Sequence, residues 1–448
     1  MKTIIPPGVA KPVLALAGAS ASGGSQAADA AYRKIAWRLL PLLFVCYIAA
    51  YLDRVNVGFA KLQMKAALQF SDSVYGLGAG IFFLGYFIFE IPSNTALHRV
   101  GARRWIARIM VTWGLLSMAT MLVTTPLSFY LLRFFLGAAE AGFFPGVVLY
   151  LTYWFPAQRR SKALAFFLSA IPFAGILGGP SSGWILQRLE GAHGLQGWQW
   201  LFLLQGLPSV LLALVVWRVL DDRVQDACWL SDAQRRIVAA DLARDARGKL
   251  GGGLRQVIRL PQVWLLALVY FTLVAGIYCV SFWLPTILQA AGVTQAFHIG
   301  LLSVLPWAFG LVSMAAAARS ADWHGEYRRH CAAGALLGAL GLAFSAAFDG
   351  AVAPALFGLT VGTMGIMAAL PVFWGLPTGL LGGGAAAAGI ALVNSFGNLS
   401  GFCAPFVVGL LKQHVDGAGT GAGVFLFAGL LLAGAVAVLR VRRPQGRP

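Results

Sequence analysis

His98-Arg99-Val100-Gly101-Ala102-Arg103-Arg104 and, 224 residues further along, Asp322-Trp323-His324-Gly325-Glu326-Tyr327-Arg328 set the reading of this chain. Each is a short charged loop built round a glycine. Gly101 aligns with Gly325 at an offset of half the 448 residues, and each loop follows the second apolar stretch of its half. Apolar stretches of about 18 residues or more read as membrane helices. They run near 37–58, 76–97, 105–124, 127–151, 163–186 and 198–217. After a charged interval from Arg218 to Arg259 come 262–284, 297–318, 331–348, 353–376, 384–411 and 422–439. The pattern predicts an all-α membrane protein of twelve transmembrane helices in two six-helix halves. Parallel halves that enclose a midplane site are a transporter architecture. The predicted units are a disordered tail over 1–32, bundles over 33–217 and 261–440, a linker over 218–260 and a basic tail over 441–448.

Composition narrows the function. The chain is 59% hydrophobic and 11% charged, with a formal charge of +18. Soluble domains average about 25% charged residues, so this chain lacks the polar surface for two or three of them. A nucleic-acid binder also runs basic, but it displays its charge as a patch on a soluble fold. Here Lys and Arg sort by alternate loop: 28 of the 34 fall on the side that holds both termini, and the other side has only Lys61, Lys65, Arg188 and Lys412. Cytoplasmic loops carry the Lys/Arg excess. Both termini are therefore expected in the cytoplasm, and nucleic acid is excluded as a partner. Val13 to Ala21 has the length of a signal-peptide core, but Pro6-Pro7 and Arg33-Lys34 fit a cytoplasmic tail better. Cys46, Cys228, Cys279, Cys331 and Cys403 show no CxxC spacing, the six histidines show no HExxH spacing, and no Walker A pattern occurs. No disulfide framework, metal site, cofactor or ATPase is expected.

Five Asp, Glu, Lys or Arg residues lie well inside the spans: Asp53, Arg54, Glu90, Arg133 and Glu140, all in the first half. A charge in the bilayer costs at least a few kcal/mol, so each is a functional candidate. The alternative is that they pair only to lock helices. From a helical rise of about 1.5 Å per residue, Asp53, Arg54 and Arg133 are expected in one layer near the far end. Glu90 and Glu140 are expected in a deeper one. Arg133 and Glu140, two turns apart, share a helix face. With three acids and two arginines, one acid lacks a permanent partner, and low dielectric favours its neutral, proton-carrying form.

Several stretches carry a family likeness: YLDRVNVGFAKLQM (51–64), GYFIFEIPSN (85–94), GARRWIARIMVTWG (101–114), RFFLGAAEAGFFPGVVLYLTYWFP (133–156), PVFWGLPTGLLGG (371–383) and GIALVNSFGNLSGF (389–402). With the paired loops they resemble the major facilitator superfamily, and within it the anion:cation symporters to which tartrate, phthalate and hydroxyphenylacetate permeases belong. The chain departs from the family loop at His98, where Asp is usual, while Asp322 is kept. The resemblance implies that Arg54 contacts a substrate carboxylate. It also implies that protons couple through Asp53 and Glu140, with Arg133 as their electrostatic partner. Gly101, Arg103, Asp322, Gly325 and Arg328 become gating-loop residues. Tyr51 and Tyr86 become cavity hydroxyls, each with packing as its alternative. Asn394, which shares a helix face with Asn398, is expected to line the cavity. Aromatics of the uncharged second half, among them Tyr278 and Trp374, are candidate pocket walls.

Together these features predict a proton-coupled symporter, not an enzyme, that imports an organic carboxylate by alternating access. It is expected to act as a monomer in a bacterial inner membrane, with the acid, protons and the lipid bilayer as its partners. An uncoupled facilitator or exchanger, or a sensor on a transporter fold, is the alternative.

Overall fold

Inside a bilayer each backbone N–H and C=O must be paired without water, which leaves helices for single apolar stretches. The computed structural model describes residues 10–247, 257–348, 350–380, 383–414 and 421–441. Among these residues no strand occurs, and twelve helices are long and apolar enough to cross a membrane. They are α1 (Gln26–Leu68), α2 (Asp72–Val100), α3 (Ala102–Leu122), α4 (Pro126–Thr152), α5 (Ala157–Arg188) and α6 (Gly197–Val219). The second half holds α7 (Pro261–Ala290), α8 (Ala296–His324), α9 (Tyr327–Ala347), α10 (Val352–Pro377), α11 (Gly389–Gln413) and α12 (Gly421–Leu439). Large side chains such as Ile91, Val312 and Phe357 stay exposed on the outer faces, as a surface covered by lipid requires. The expected twelve-span, two-half architecture is met.

Local chemistry sets the ends. Ser71 caps α2 by accepting from Val74 N (3.2 Å). Thr125 and Ser128 form a capping box at the start of α4, with Pro126 in the first turn, where its missing N–H costs nothing.

Two differences from the sequence expectation matter. The helix leading into α1 begins at Ala10, inside the stretch read as a disordered tail. Near its junction with the bundle it is tied down: Asp29 pairs with Arg159 at 2.5 Å, and Tyr32 donates to Asp241 of the linker helix Asp232–Arg247 (3.2 Å). At its other end α1 runs on to Leu68, not to residue 58. Residues 1–9, most of the C-terminal tail (442–448) and part of the linker (248–256) lie outside the described residues.

Among the described residues the halves pack backbone to backbone at one end. A Cβ on Gly179 would lie 2.5 Å from the Gly300 carbonyl oxygen, joining α5 to α8. One on Gly76 would lie 2.5 Å from the Pro405 carbonyl oxygen, joining α2 to α11. Only small residues permit such approach, and close packing is what associates helices in lipid. These contacts sit at the end opposite the Gly101 and Gly325 loops. Towards the loop end, here called the basic end, the halves diverge round a cavity.

Candidate functional site

Two helices are interrupted beside the intramembrane charges. α1 breaks at Asn56, two residues beyond Arg54. α4 breaks between Glu140 and Phe143, where Gly142 takes φ +89°; a Cβ there would sit 2.3 Å from Ser93 Oγ. Arg54 lies fourteen residues from the Leu68 end of α1 and Glu140 fourteen from the Pro126 start of α4, so both are about 21 Å from the same face. The sequence reading put them in different layers because it ended α1 ten residues early.

The two side chains form a buried ion pair. Arg54 Nε donates to Glu140 Oε1 at 3.1 Å, and Nη2 donates to the same oxygen. Arg54 is 6% exposed and Glu140 0%. Arg54 Nη1 also donates to Tyr278 Oη (2.9 Å) on α7, so one guanidinium joins the halves. Tyr278 is 224 residues from Arg54, the same offset as the two loops: repeat-related positions touch across the molecular axis. Three of the five N–H donors of the guanidinium are engaged, leaving two for a ligand. Glu140 Oε2 has no hydrogen-bond partner among the described residues.

Asp53 points the other way, into the first half, at 0% exposure. It accepts from Trp113 Nε1 (3.1 Å) and Ser117 Oγ (2.7 Å) on α3 and from Ser209 Oγ (2.6 Å) on α6. Arg133 contacts neither carboxylate in this conformation. Its Nε donates to the Gly78 carbonyl and its Nη2 to the Arg54 carbonyl, each at 3.3 Å. Sharing a helix face with Glu140 did not make it the partner: Arg133 instead pins α2 and the end of the first α1 segment, where carbonyls lose their helical donors. Both arginines lie over the Phe82 ring, Arg54 at 5.5 Å and Arg133 at 4.9 Å.

The cavity encloses about 780 Å³ free of protein atoms, counting its mouth. Arg54, Tyr51, Tyr86 and Asn394 all line it, as do Tyr278 and Trp374. Asp53, Arg133 and Glu140 do not. Tyr51 Oη is 2.9 Å from Ser281 Oγ of the other half, and Arg54 lies 5.3 Å over the Tyr86 ring. Asn394 and its neighbour Ser395 face the Glu90 carboxyl across the halves.

The loop residues hold the ends of each half. Gly101 takes φ +96°, and a Cβ there would meet Asp222 Oδ2 at 2.8 Å. The Asp222 carboxylate accepts from Arg103 N (2.8 Å), and Arg103 Nε donates to the Trp217 carbonyl. Asp222 therefore supplies the acid that position 98 lacks; His98 instead meets Tyr153 Oη at 3.1 Å. In the second half Gly325 takes φ +65°. Asp322 accepts from Tyr327 Oη (2.8 Å), and Arg328 Nη1 donates to the Val441 carbonyl (3.2 Å). The two acceptor carbonyls, of Trp217 and Val441, are again 224 residues apart.

Sequence reasoning missed a cluster at the closed end. Lys61, 4% exposed, pairs with Asp72 Oδ1 at 2.7 Å and lies 3.7 Å over the Trp283 ring of the other half. Lys65 also pairs with Asp72 (2.7 Å), and Lys412 of α11 approaches it at 3.8 Å. The signal was present, because three of the four basic residues on that side of the chain meet here.

Comparison with known proteins agrees with this architecture. The Major Facilitator Superfamily profile matches residues 43–405. A candidate metabolite transport protein of Pseudomonas putida, NicT, is 47% identical over 406 residues, covering 90% of this chain and 92% of its own. A candidate tartrate transporter of Agrobacterium vitis is 44% identical over 413 residues, covering 92% and 91%. Among solved structures, the partially occluded inward-open xylose transporter XylE of Escherichia coli superposes with a TM-score of 0.73 at 15% identity, covering 92% of this chain and 99% of its own. That likeness concerns the fold alone. By profile, by relatives and by architecture, the chain belongs to the Major Facilitator Superfamily of membrane transporters.

Proposed function

We propose that the protein is a proton-coupled symporter that imports an organic carboxylate across a bacterial inner membrane, working as a monomer with the basic end and both termini in the cytoplasm. The observation that carries this reading is the Arg54–Glu140 pair: among the described residues, the one charged residue lining the cavity is held by a buried acid whose second oxygen has no partner. Relatives named for tartrate and metabolite transport support the substrate class.

The coupling follows from charge balance. The empty pair is neutral. A substrate carboxylate that binds the free donors of Arg54 competes with Glu140 for the cation. Two anions on one guanidinium in low dielectric leave a net negative charge, which a proton on Glu140 removes. Anion and proton therefore load together, and the loaded cavity carries the same charge as the empty one. Asp53 is the second proton site. It has no ion-pair partner among the described residues, and the hydroxyls of Ser117 and Ser209 rotate either to donate to a carboxylate or to accept from the acid.

The test is uptake of labelled organic acids into proteoliposomes with and without a pH gradient. Acid outside is expected to drive accumulation. Glu140→Gln and Asp53→Asn are each expected to lose the pH drive while keeping exchange of labelled for unlabelled substrate. If both variants keep pH-driven uptake, the coupling assignment is wrong. Counterflow that acidification leaves unchanged in the parent protein points to the uncoupled facilitator.

A further inference from the structure

The chemistry of the cavity wall narrows the cargo, and this step rests on the organic-anion reading above. Among the described residues, Arg54 is the only charged one lining the cavity. Arg133, the nearest other buried cation, is fully buried behind Phe82 and does not reach it. The second half contributes no charge: its lining is Tyr270, Tyr278, Met314, Met367, Trp374 and neighbouring aliphatic and amide side chains. Residues 378–388, which join α10 to α11, contain no Lys, Arg or His. One carboxylate therefore has a cation to replace its water shell, and a second has none. A second ionised carboxylate would meet only neutral donors, tyrosine hydroxyls and the Asn394 and Asn398 amides, and no cation, an arrangement that low dielectric penalises.

Seven of the lining side chains are aromatic. From the second half, the Tyr270 and Trp374 rings stand 4.8 Å apart at 60°, and Tyr270 stacks on Phe373 behind it at 5.1 Å. From the first half, Tyr47 and Phe144 lie 5.6 Å apart, with Tyr47 stacked on Phe167 at 4.5 Å. The lining rings are thus each backed by a further ring. Rigid rings favour a planar aromatic guest by offset or edge-to-face contact, and the two methionines offer sulfur to a ring edge.

We propose that the cavity selects a monocarboxylate carried on a planar aromatic ring and rejects aliphatic dicarboxylates, with Arg54 holding the carboxylate and the Tyr270–Trp374 pair facing the ring. Trp374 and Tyr270 are then specificity-determining residues.

The full chain in proteoliposomes under an inward pH gradient is tested with labelled benzoate, phenylacetate, cyclohexanecarboxylate, succinate and L-tartrate. Benzoate or phenylacetate is expected to be carried, cyclohexanecarboxylate to compete about tenfold more weakly, and succinate and tartrate at least about a hundredfold more weakly. Trp374→Leu is expected to raise the half-saturation for the ring acid about tenfold, with Trp374→Phe recovering most of the loss. A benzoate-induced rise in the unfolding temperature of the parent in detergent, absent with tartrate, reads binding without transport. If tartrate or succinate is carried as well as the ring acids, or in their place, the selection is overturned while the organic-anion reading stands. If no acid of either class is carried, under a gradient or in counterflow, the organic-anion reading falls and this inference with it.

Discussion

Arg54 binds both halves at once, through Glu140 and through Tyr278. A lysine keeps the charge but not the planar fork, so it serves one partner and abandons the other. Arg54→Lys is expected to lower uptake by more than about tenfold without preventing folding, read as initial rate against monodispersity in detergent. Around Asp53, the pair Ser117→Ala and Ser209→Ala removes two of three donors to a fully buried carboxyl. Each loss is expected to cost about 1–3 kcal/mol of stability, seen as a lower unfolding temperature before any transport assay. The five intramembrane charges were legible because burial makes each of them expensive. Their partners were not. Residues 59–68 of α1 carry Lys61 and Lys65 and read as loop, and tertiary burial over Trp283 and Asp72 is what keeps them helical.

The breaks after Arg54 and Glu140 place an interruption of α1 and the unwound turn of α4 at Ala141–Gly142 beside the ion pair, where backbone can yield without opening lipid-facing helix. At the closed end the Lys61–Asp72 pair, with Lys412 and Trp283, ties α1 and α2 to α7 and α11. Asp72→Asn leaves a buried lysine without its acid, and removing one partner of a buried pair costs about 3–5 kcal/mol. The closed end should loosen, so a thiol reagent applied from that side should label Cys279 on α7 faster than in the parent. Unchanged labelling would remove the cluster from the gate. Gly101→Ala meets both a left-handed φ and the Asp222 carboxylate, and is expected to lose about 1–3 kcal/mol of stability. The glycine was legible as a turn. Its acid was not, because Asp222 is far along the chain and the usual Asp position holds His98.

Twelve spans and two halves were legible because hydrophobic length and the 224-residue repeat survive without knowledge of packing. Which end is closed was not, since it depends on how the halves lean. Alternation requires the contact between α2 and α11 at the closed end to separate once per cycle. Ser73 N donates to Gln413 Oε1 there at 3.2 Å. In a background lacking the native cysteines, Ser73→Cys with Gln413→Cys, joined by a short bifunctional thiol reagent, should abolish uptake, and cleaving the link should restore it. Full uptake with the link intact would show that this end never opens.

The end-to-loop ties within each half carry a different consequence. Arg103 grips the carbonyl of Trp217 at the end of α6, and Arg328 grips that of Val441 just beyond α12. Each half is thus buckled by its own last helix. A chain severed within residues 248–256 and made as two polypeptides in one cell should assemble and still carry substrate.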